Sequence, residues 1–280
     1  MINRKTIAEE ILISGKGLHK GQESSVMIRP CEDEGIYFVI KGKKYNIKEV
    51  SAEGTGRGTT LFFPDGSVIY TVEHLLASLA GTGITDIEIE MEENSEIPVL
   101  DGSARDITES LKSAGIVAKS SVIEPAILSL PFGVDTDKGD KCIWAFPSTR
   151  TSYTFIIDFE NPLVGRQVFT FIPSEMDFSL EIAPARTFGF ENEIEELKRR
   201  GLVKGGTPEN AVIVGEKSIK AEGGLHFPDE FVRHKLLDLI GDLSLLGVPL
   251  QANIYAFKSG HELNLQFTER LKRIFSRQRG

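Results

Sequence analysis

Three ionisable residues, His234, Asp238 and Asp242, recur every four positions in FVRHKLLDLIGD, residues 231–242. On a helix this spacing stacks them along one face. Leu236, Leu237, Leu239, Ile240 and Leu243 fill most of the remaining circumference. The line is therefore either a solvated polar stripe on a core helix or a buried group that must be paired or bound to metal. Solvated stripes usually carry Lys and Glu, whereas this one carries His followed by two Asp. His234 and Asp238, one turn apart, have the spacing of two ligands to one Zn²⁺. A catalytic zinc commonly takes three protein ligands and keeps a position for water. His74, in the first turn of another apolar segment, is the natural third. Its neighbour Glu73 points about 100° away on a helix, so it is free to act as a general base. The alternative is a helix-start carboxylate favoured by the helix dipole, beside a satisfied histidine.

His261, in SGHELN, reads as a histidine in a glycine-containing turn after a strand. Such a residue is either a surface group or, beside a metal, a general acid. Asp242 is placed to orient and charge-stabilise that imidazole. GKGLHKG, residues 15–21, holds Leu18 and His19 in a glycine-rich turn, either a hairpin or an unspecific phosphate cradle. In IPVLDGSA, residues 97–104, Asp101 and Ser103 read as helix-capping residues.

These groups need elements to hold them. The first third reads as short strands punctuated by glycine. TVEHLLASLAG reads as a helix with Thr71 as N-cap, stopping at Gly81. TDIEIEME alternates as a half-exposed strand, and ARDITESLKSAG reads as a second helix ended at Gly115. A boundary falls in AKSSVIEPAILS around Pro125. Beyond it, SYTFIIDF and QVFTFIP read as strands, ENEIEELKRRG as a charged helix ended at Gly201, and the opening helix runs to Gly247 before the strand QANIYAFK. EHLLASLAGTGITDIEIE and RHKLLDLIGDLSLLGVPLQANIYAF share one plan of apolar helix, glycine turn and strand. This weak repeat predicts two related α+β modules, residues 1–120 and 125–270, each a sheet covered by helices. Their histidine-bearing helix ends are expected to meet at the interface, a common place for sites.

The bulk properties narrow the setting. A hydrophobic fraction of 40% and a charged fraction of 26% belong to a folded soluble chain, and a net charge of -9 argues against nucleic acid as the main partner. Two separated cysteines, Cys31 and Cys142, form neither a disulfide framework nor a thiolate metal site and fit a reducing, cytoplasmic setting. No stretch approaches the roughly 18 apolar residues of a membrane helix, and the N-terminus lacks the apolar run of a secretory signal.

Six motifs in order, GKGLHKG, TVEHLLASLAG, EIPVLDGSA, EIAPARTFGF, EFVRHKLLDLIGDL and YAFKSGHELN, together resemble the UDP-3-O-acyl-N-acetylglucosamine deacetylase (LpxC) family over nearly the whole chain. These enzymes remove an N-acetyl group in the first committed step of lipid A synthesis in Gram-negative bacteria. The resemblance implies a two-domain α+β sandwich with a repeated β-α-α-β core and a small insert in each domain. It implies Zn²⁺, with Fe²⁺ as the alternative, held by His74, His234 and Asp238. It implies Glu73 as general base, His261 with Asp242 as acid or cationic stabiliser, and Thr187 at the oxyanion. Substrate contacts are implied at Lys235, Phe188, Leu18 and His19, with an acyl-chain passage in the insert at about residues 191–221. The implied partner is an acylated UDP-sugar met by a monomer, with transient membrane or acyl-carrier contact left open. Two departures stand out. GLHF, residues 224–227, places His226 where the family pattern has arginine, and EGTGRGTTLFFPDG, residues 53–66, contains neither Cys nor His.

Overall fold

The computed structural model describes residues 1–55 and 57–278; Gly56, within the divergent stretch 53–66, lies outside the described residues. The first half runs β1 (Ile2–Ile7), β2 (Ile11–Lys16), β3 (Glu23–Pro30), β4 (Ile36–Ile40), β5 (Lys43–Asn46), β6 (Ser51–Thr55), β7 (Gly58–Phe62), β8 (Val68–Ile69), α1 (Glu73–Thr82), β9 (Ile87–Met91), α2 (Arg105–Ser113) and β10 (Ile116–Ile123). The second half runs β11 (Ala126–Ile127), β12 (Phe132–Asp135), β13 (Cys142–Pro147), β14 (Ser152–Asp158), β15 (Arg166–Phe171), α3 (Phe178–Glu181), β16 (Phe188–Phe190), α4 (Glu191–Arg199), β17 (Val212–Val214), β18 (Ile219–Lys220), α5 (Glu230–Ser244), β19 (Leu250–Phe257) and α6 (His261–Gln278).

The two halves repeat one topology. The first sheet has the order β2-β3-β9-β4-β5 and the second β12-β13-β19-β14-β15. In each, the strand that follows the histidine-bearing helix is central: β9 is antiparallel to β3 and parallel to β4, and β19 antiparallel to β13 and parallel to β14. Alternation decides which face is buried. Ile87, Ile89 and Met91 of β9 point inward with Glu88 and Glu90 between them, and Leu250, Ala252, Ile254 and Ala256 do the same in β19. The fold is thus a two-domain α+β sandwich. Each half adds a three-stranded unit, β6-β7-β8 in the first and β16-β17-β18 with α4 in the second.

Helices α1 and α5 pack on each other between the sheets. Both are apolar nearly all round, as a helix buried between layers must be; only Arg233, Lys235 and Ser244 of α5 are not fully buried. The approach is backbone to backbone at Gly241, where a Cβ would lie 2.2 Å from the Glu73 carbonyl oxygen.

Three local expectations are corrected. Thr71 is not an N-cap: it has φ 60°, its hydroxyl donates to Glu96 Oε1 at 2.9 Å, and Val72 occupies the cap position without a side-chain bond. The tight passage from β8 into α1 is held by that bond to a buried carboxylate instead. Nor does α1 stop at Gly81; it ends at Gly83, which has φ 72°, while Gly81 lies where any Cβ would strike the Phe178 ring. In the 97–104 turn, Asp101 accepts from Ser103 N and Oγ, and Ser103 Oγ accepts from Arg105 N, but the cap position of α2 is Ala104.

Candidate metal and catalytic site

The site forms where the N-terminal turn of α1 meets the middle of α5 and the start of α6. His74 from α1 and His234 and Asp238 from α5 are buried, and their ligand atoms all lie within 4.8 Å of one another. Asp238 Oδ1 is 3.4 Å from His234 Nε2 and 4.0 Å from His74 Nε2. The second imidazole nitrogen of His234, Nδ1, faces the Ala185 carbonyl at 3.1 Å, which leaves Nε2 for the cluster.

Electrostatics give this trio the charge of a metal-ligand set. Burial, reinforced by the neighbouring His234, lowers His74 to about 3. Burial likewise lowers His234, although Asp238 pulls the other way. Burial alone would raise Asp238, but His234, Lys235, His261 and His74 around it hold it well below the carboxylate range. At neutral pH the trio is two neutral imidazoles and one carboxylate. Asp238 Oδ2 accepts from Lys235 Nζ at 2.7 Å, whereas Oδ1 is buried without a hydrogen-bond donor among the described residues. A buried carboxylate oxygen left unpaired between two neutral imidazoles is costly, and a divalent cation would satisfy all three groups at once. The residues therefore fit a metal.

Glu73 and His261 lie next to each other beside this cluster. His261 Nε2 is 3.8 Å from Glu73 Oε1 and 3.7 Å from Asp238 Oδ2, and its Nδ1 bonds Asp242 Oδ2 at 2.9 Å. Burial raises Glu73 to about 7, although the His261 charge opposes it. Burial would lower His261, but Asp242, Asp238 and Glu73 outweigh it and lift the imidazole to about 10. The expectation of a loop histidine is corrected: His261 opens the 18-residue helix α6. The positive end of a helix disfavours an imidazolium, and the three carboxylates overcome that.

These groups open into a cleft of about 960 Å³. Thr187, Phe188, Lys235, Leu18 and His19 all line it, as do Glu73, His74, His234, Asp238 and His261. Phe188 packs edge-on to Phe231 and His234, at 5.0 and 6.1 Å between ring centroids. His19 is held by its backbone N–H, 2.9 Å from Glu96 Oε1, while its ring nitrogens are buried without a partner among the described residues. Phe190, Ile194, Leu197, Val203, Ala211 and Ile213 of the second insert also line the cleft, together with the charged Glu193 and Lys198. His226 does not line the cleft; its Nδ1 lies 2.9 Å from Arg105 Nη2 and 2.8 Å from the Pro184 carbonyl.

Three further residues shape the site. Glu96 is buried, accepts from the backbone N–H groups of His19 and Lys20, and sets the turn that carries Leu18 and His19. Asn264 Nδ2 donates to Asp242 Oδ2 at 2.8 Å. Thr59 touches both Glu73 and Asp242. Local spacing could not have found them, because their partners are distant in sequence.

Fold and centre together define a two-domain α+β protein with a buried His-His-Asp metal-type group flanked by a carboxylate and an imidazole. Residues 4–273 match the family described as UDP-3-O-acyl N-acetylglycosamine deacetylase, LpxC, and the chain belongs to that family, whose members are metalloenzymes. Among similar proteins, that of a Nitratiruptor species is 38% identical over 96% of this chain and 90% of its own length. That of Thermodesulfovibrio yellowstonii is 40% identical over 96% and 91%, and that of Myxococcus xanthus 39% over 94% and 84%. Each of the three is named UDP-3-O-acyl-N-acetylglucosamine deacetylase.

Proposed function

We propose that this chain hydrolyses the N-acetyl group of UDP-3-O-acyl-N-acetylglucosamine, yielding UDP-3-O-acyl-glucosamine and acetate, the committed step of lipid A biosynthesis. The observation that carries the reading is that Glu73 and His261, 3.8 Å apart, share one cleft with the His74–His234–Asp238 trio and with apolar residues of the second insert.

His74, His234 and Asp238 would hold Zn²⁺; Fe²⁺ accepts the same donors. When bound, the metal supplies an acidified water and a Lewis acid for the carbonyl oxygen. Glu73, raised to about 7, takes a proton as water oxygen attacks the acetamide carbon. Protonated His261 and the Thr187 hydroxyl meet the charge that develops on the carbonyl oxygen. The C–N bond then breaks, and a proton passes to the nitrogen, which leaves as the glucosamine amine. Asp242 holds His261 by its Nδ1 and keeps Nε2 toward the cleft. Lys235 and His19 contact the polar part of the substrate, Phe188 and Leu18 its apolar flank, and the insert passage takes the acyl chain. No described helix is long and apolar enough to cross a membrane. Cys31 and Cys142 are free thiols. We assign the chain to the cytoplasm as a monomer acting on a diffusible UDP-sugar.

The test separates metal from base. Asp238→Ala and His74→Ala should lose metal and deacetylase activity together. Glu73→Ala should keep its metal and lose activity by roughly 10²–10⁴-fold. Full metal occupancy in the Asp238 variant, measured by elemental analysis, would refute the ligand set.

A further inference from the structure

Thr59 lies in β7, on neither of the helices that carry the His-His-Asp group, and is fully buried. Its backbone N–H donates to Glu73 Oε2 at 2.9 Å. Its hydroxyl donates to Asp242 Oδ1 at 2.6 Å and lies 3.2 Å from His261 Nδ1. The other Asp242 oxygen, Oδ2, accepts from His261 Nδ1 and from Asn264 Nδ2, at 2.9 and 2.8 Å. A carboxylate held at both oxygens in a dry site has little freedom to rotate. Oδ2 is thereby fixed on Nδ1, and Nε2 is the nitrogen left facing Glu73 Oε1, 3.8 Å away. The preceding residue is Gly58, where a Cβ would come within 3.0 Å of Glu73 Oε1, so β7 wraps this carboxylate closely.

We propose that Thr59 is a positioning residue: its N–H orients Glu73 while its hydroxyl locks the Asp242–His261 pair, so that base and acid keep one relative geometry. The role in turnover rests on the deacetylase reading above; the role in orienting His261 does not. Thr59 does not line the cleft and touches none of the three metal-ligand side chains. Loss of its hydroxyl should therefore reduce turnover and leave substrate affinity and metal content unchanged. A threonine that merely fills space would show no such selectivity.

Thr59→Val, Thr59→Ala and Thr59→Ser test this in the metal-replete protein. Val and Ala should lower kcat about 10–100-fold, as expected for a lost supporting hydrogen bond, with KM, metal content and melting temperature near those of the parent. Ser restores the hydroxyl and should restore most of kcat. If Thr59→Val does not fold, Ala against Ser decides. Unchanged kcat in Thr59→Ala, a Ser variant as slow as Ala, or a loss confined to KM or metal content overturns the proposal. The parent's own turnover is the control: a metal-replete parent without deacetylase activity means that the deacetylase reading itself has failed. The His261 Nδ1–H proton resonance is a readout independent of activity. It should persist in the parent and Thr59→Ser and vanish through exchange in Thr59→Ala; persistence in all three defeats the positioning role.

Discussion

Glu73 and His261 are displaced in one direction for opposite reasons. Burial disfavours the charged carboxylate of Glu73 and raises it to about 7. For His261, burial works against the charged form, and Asp242, Asp238 and Glu73 overcome it to reach about 10. In the proposed roles Glu73 must be deprotonated and His261 protonated, so kcat/KM should rise as pH climbs through the Glu73 titration and fall as it climbs through that of His261. A bound divalent cation favours ionised Glu73 and neutral His261, so both limbs should lie below 7 and 10. His261→Gln should lose the high-pH limb and keep the low-pH one, as measured by kcat/KM across pH; a surviving high-pH limb would remove His261 from the role of acid. The metal-type residues were legible in the sequence because His and Asp at four-residue spacing are out of place on an apolar helix. Thr59 was not, because a threonine is an ordinary strand residue and its partners Asp242 and His261 lie 183 and 202 positions away.

At the scale of elements, period and punctuation read well where helices are long and apolar. The α1 and α5 helices, the charged α4 and the ends at Gly115 and Gly201 follow from helical spacing and from glycines at φ 75° and 78°, whereas α5 stops at Ser244, three residues before Gly247. Local rules failed where a tertiary contact took precedence. Thr71 obeys its bond to Glu96 rather than its capping preference, and His261 joins α6 because three carboxylates from elsewhere receive its charge. Gly241 is a third instance, since helix propensity alone favours alanine by about 1 kcal/mol. The backbone contact with Glu73 reverses that preference, because a Cβ 2.2 Å from a carbonyl oxygen forces α1 and α5 apart. Gly241→Ala should destabilise the protein by about 1–3 kcal/mol, the usual cost of overpacking. Thermal unfolding should therefore start several degrees lower. Activity should fall as well, since His74 rides on α1 and His234 on α5. An unchanged melting temperature would mean that the helices separate freely there.

For the whole molecule, the duplicated topology places the site at a seam. One half contributes Glu73, His74 and Thr59, and the other His234, Asp238, Asp242 and His261. The halves also meet at the cleft mouth, where Gly205 N donates to the Leu18 carbonyl and Lys204 N to that of His19, and where Arg57 pairs with Glu193. A divalent ion at the trio would join α1 to α5 and bind only the folded arrangement, so it should stabilise the fold by mass action. At a free concentration a hundredfold above its Kd this amounts to about 2.7 kcal/mol. Chelation should accordingly lower the melting temperature by several degrees, and added Zn²⁺ should restore it. His74→Ala removes the one member of the trio that the first half supplies, so its melting temperature should respond far less to chelator. The comparison is made by calorimetry on parent and variant, each with and without chelator. Equal responses in the two proteins would place the stabilising ion elsewhere, and no response in either would mean that the seam is held without it.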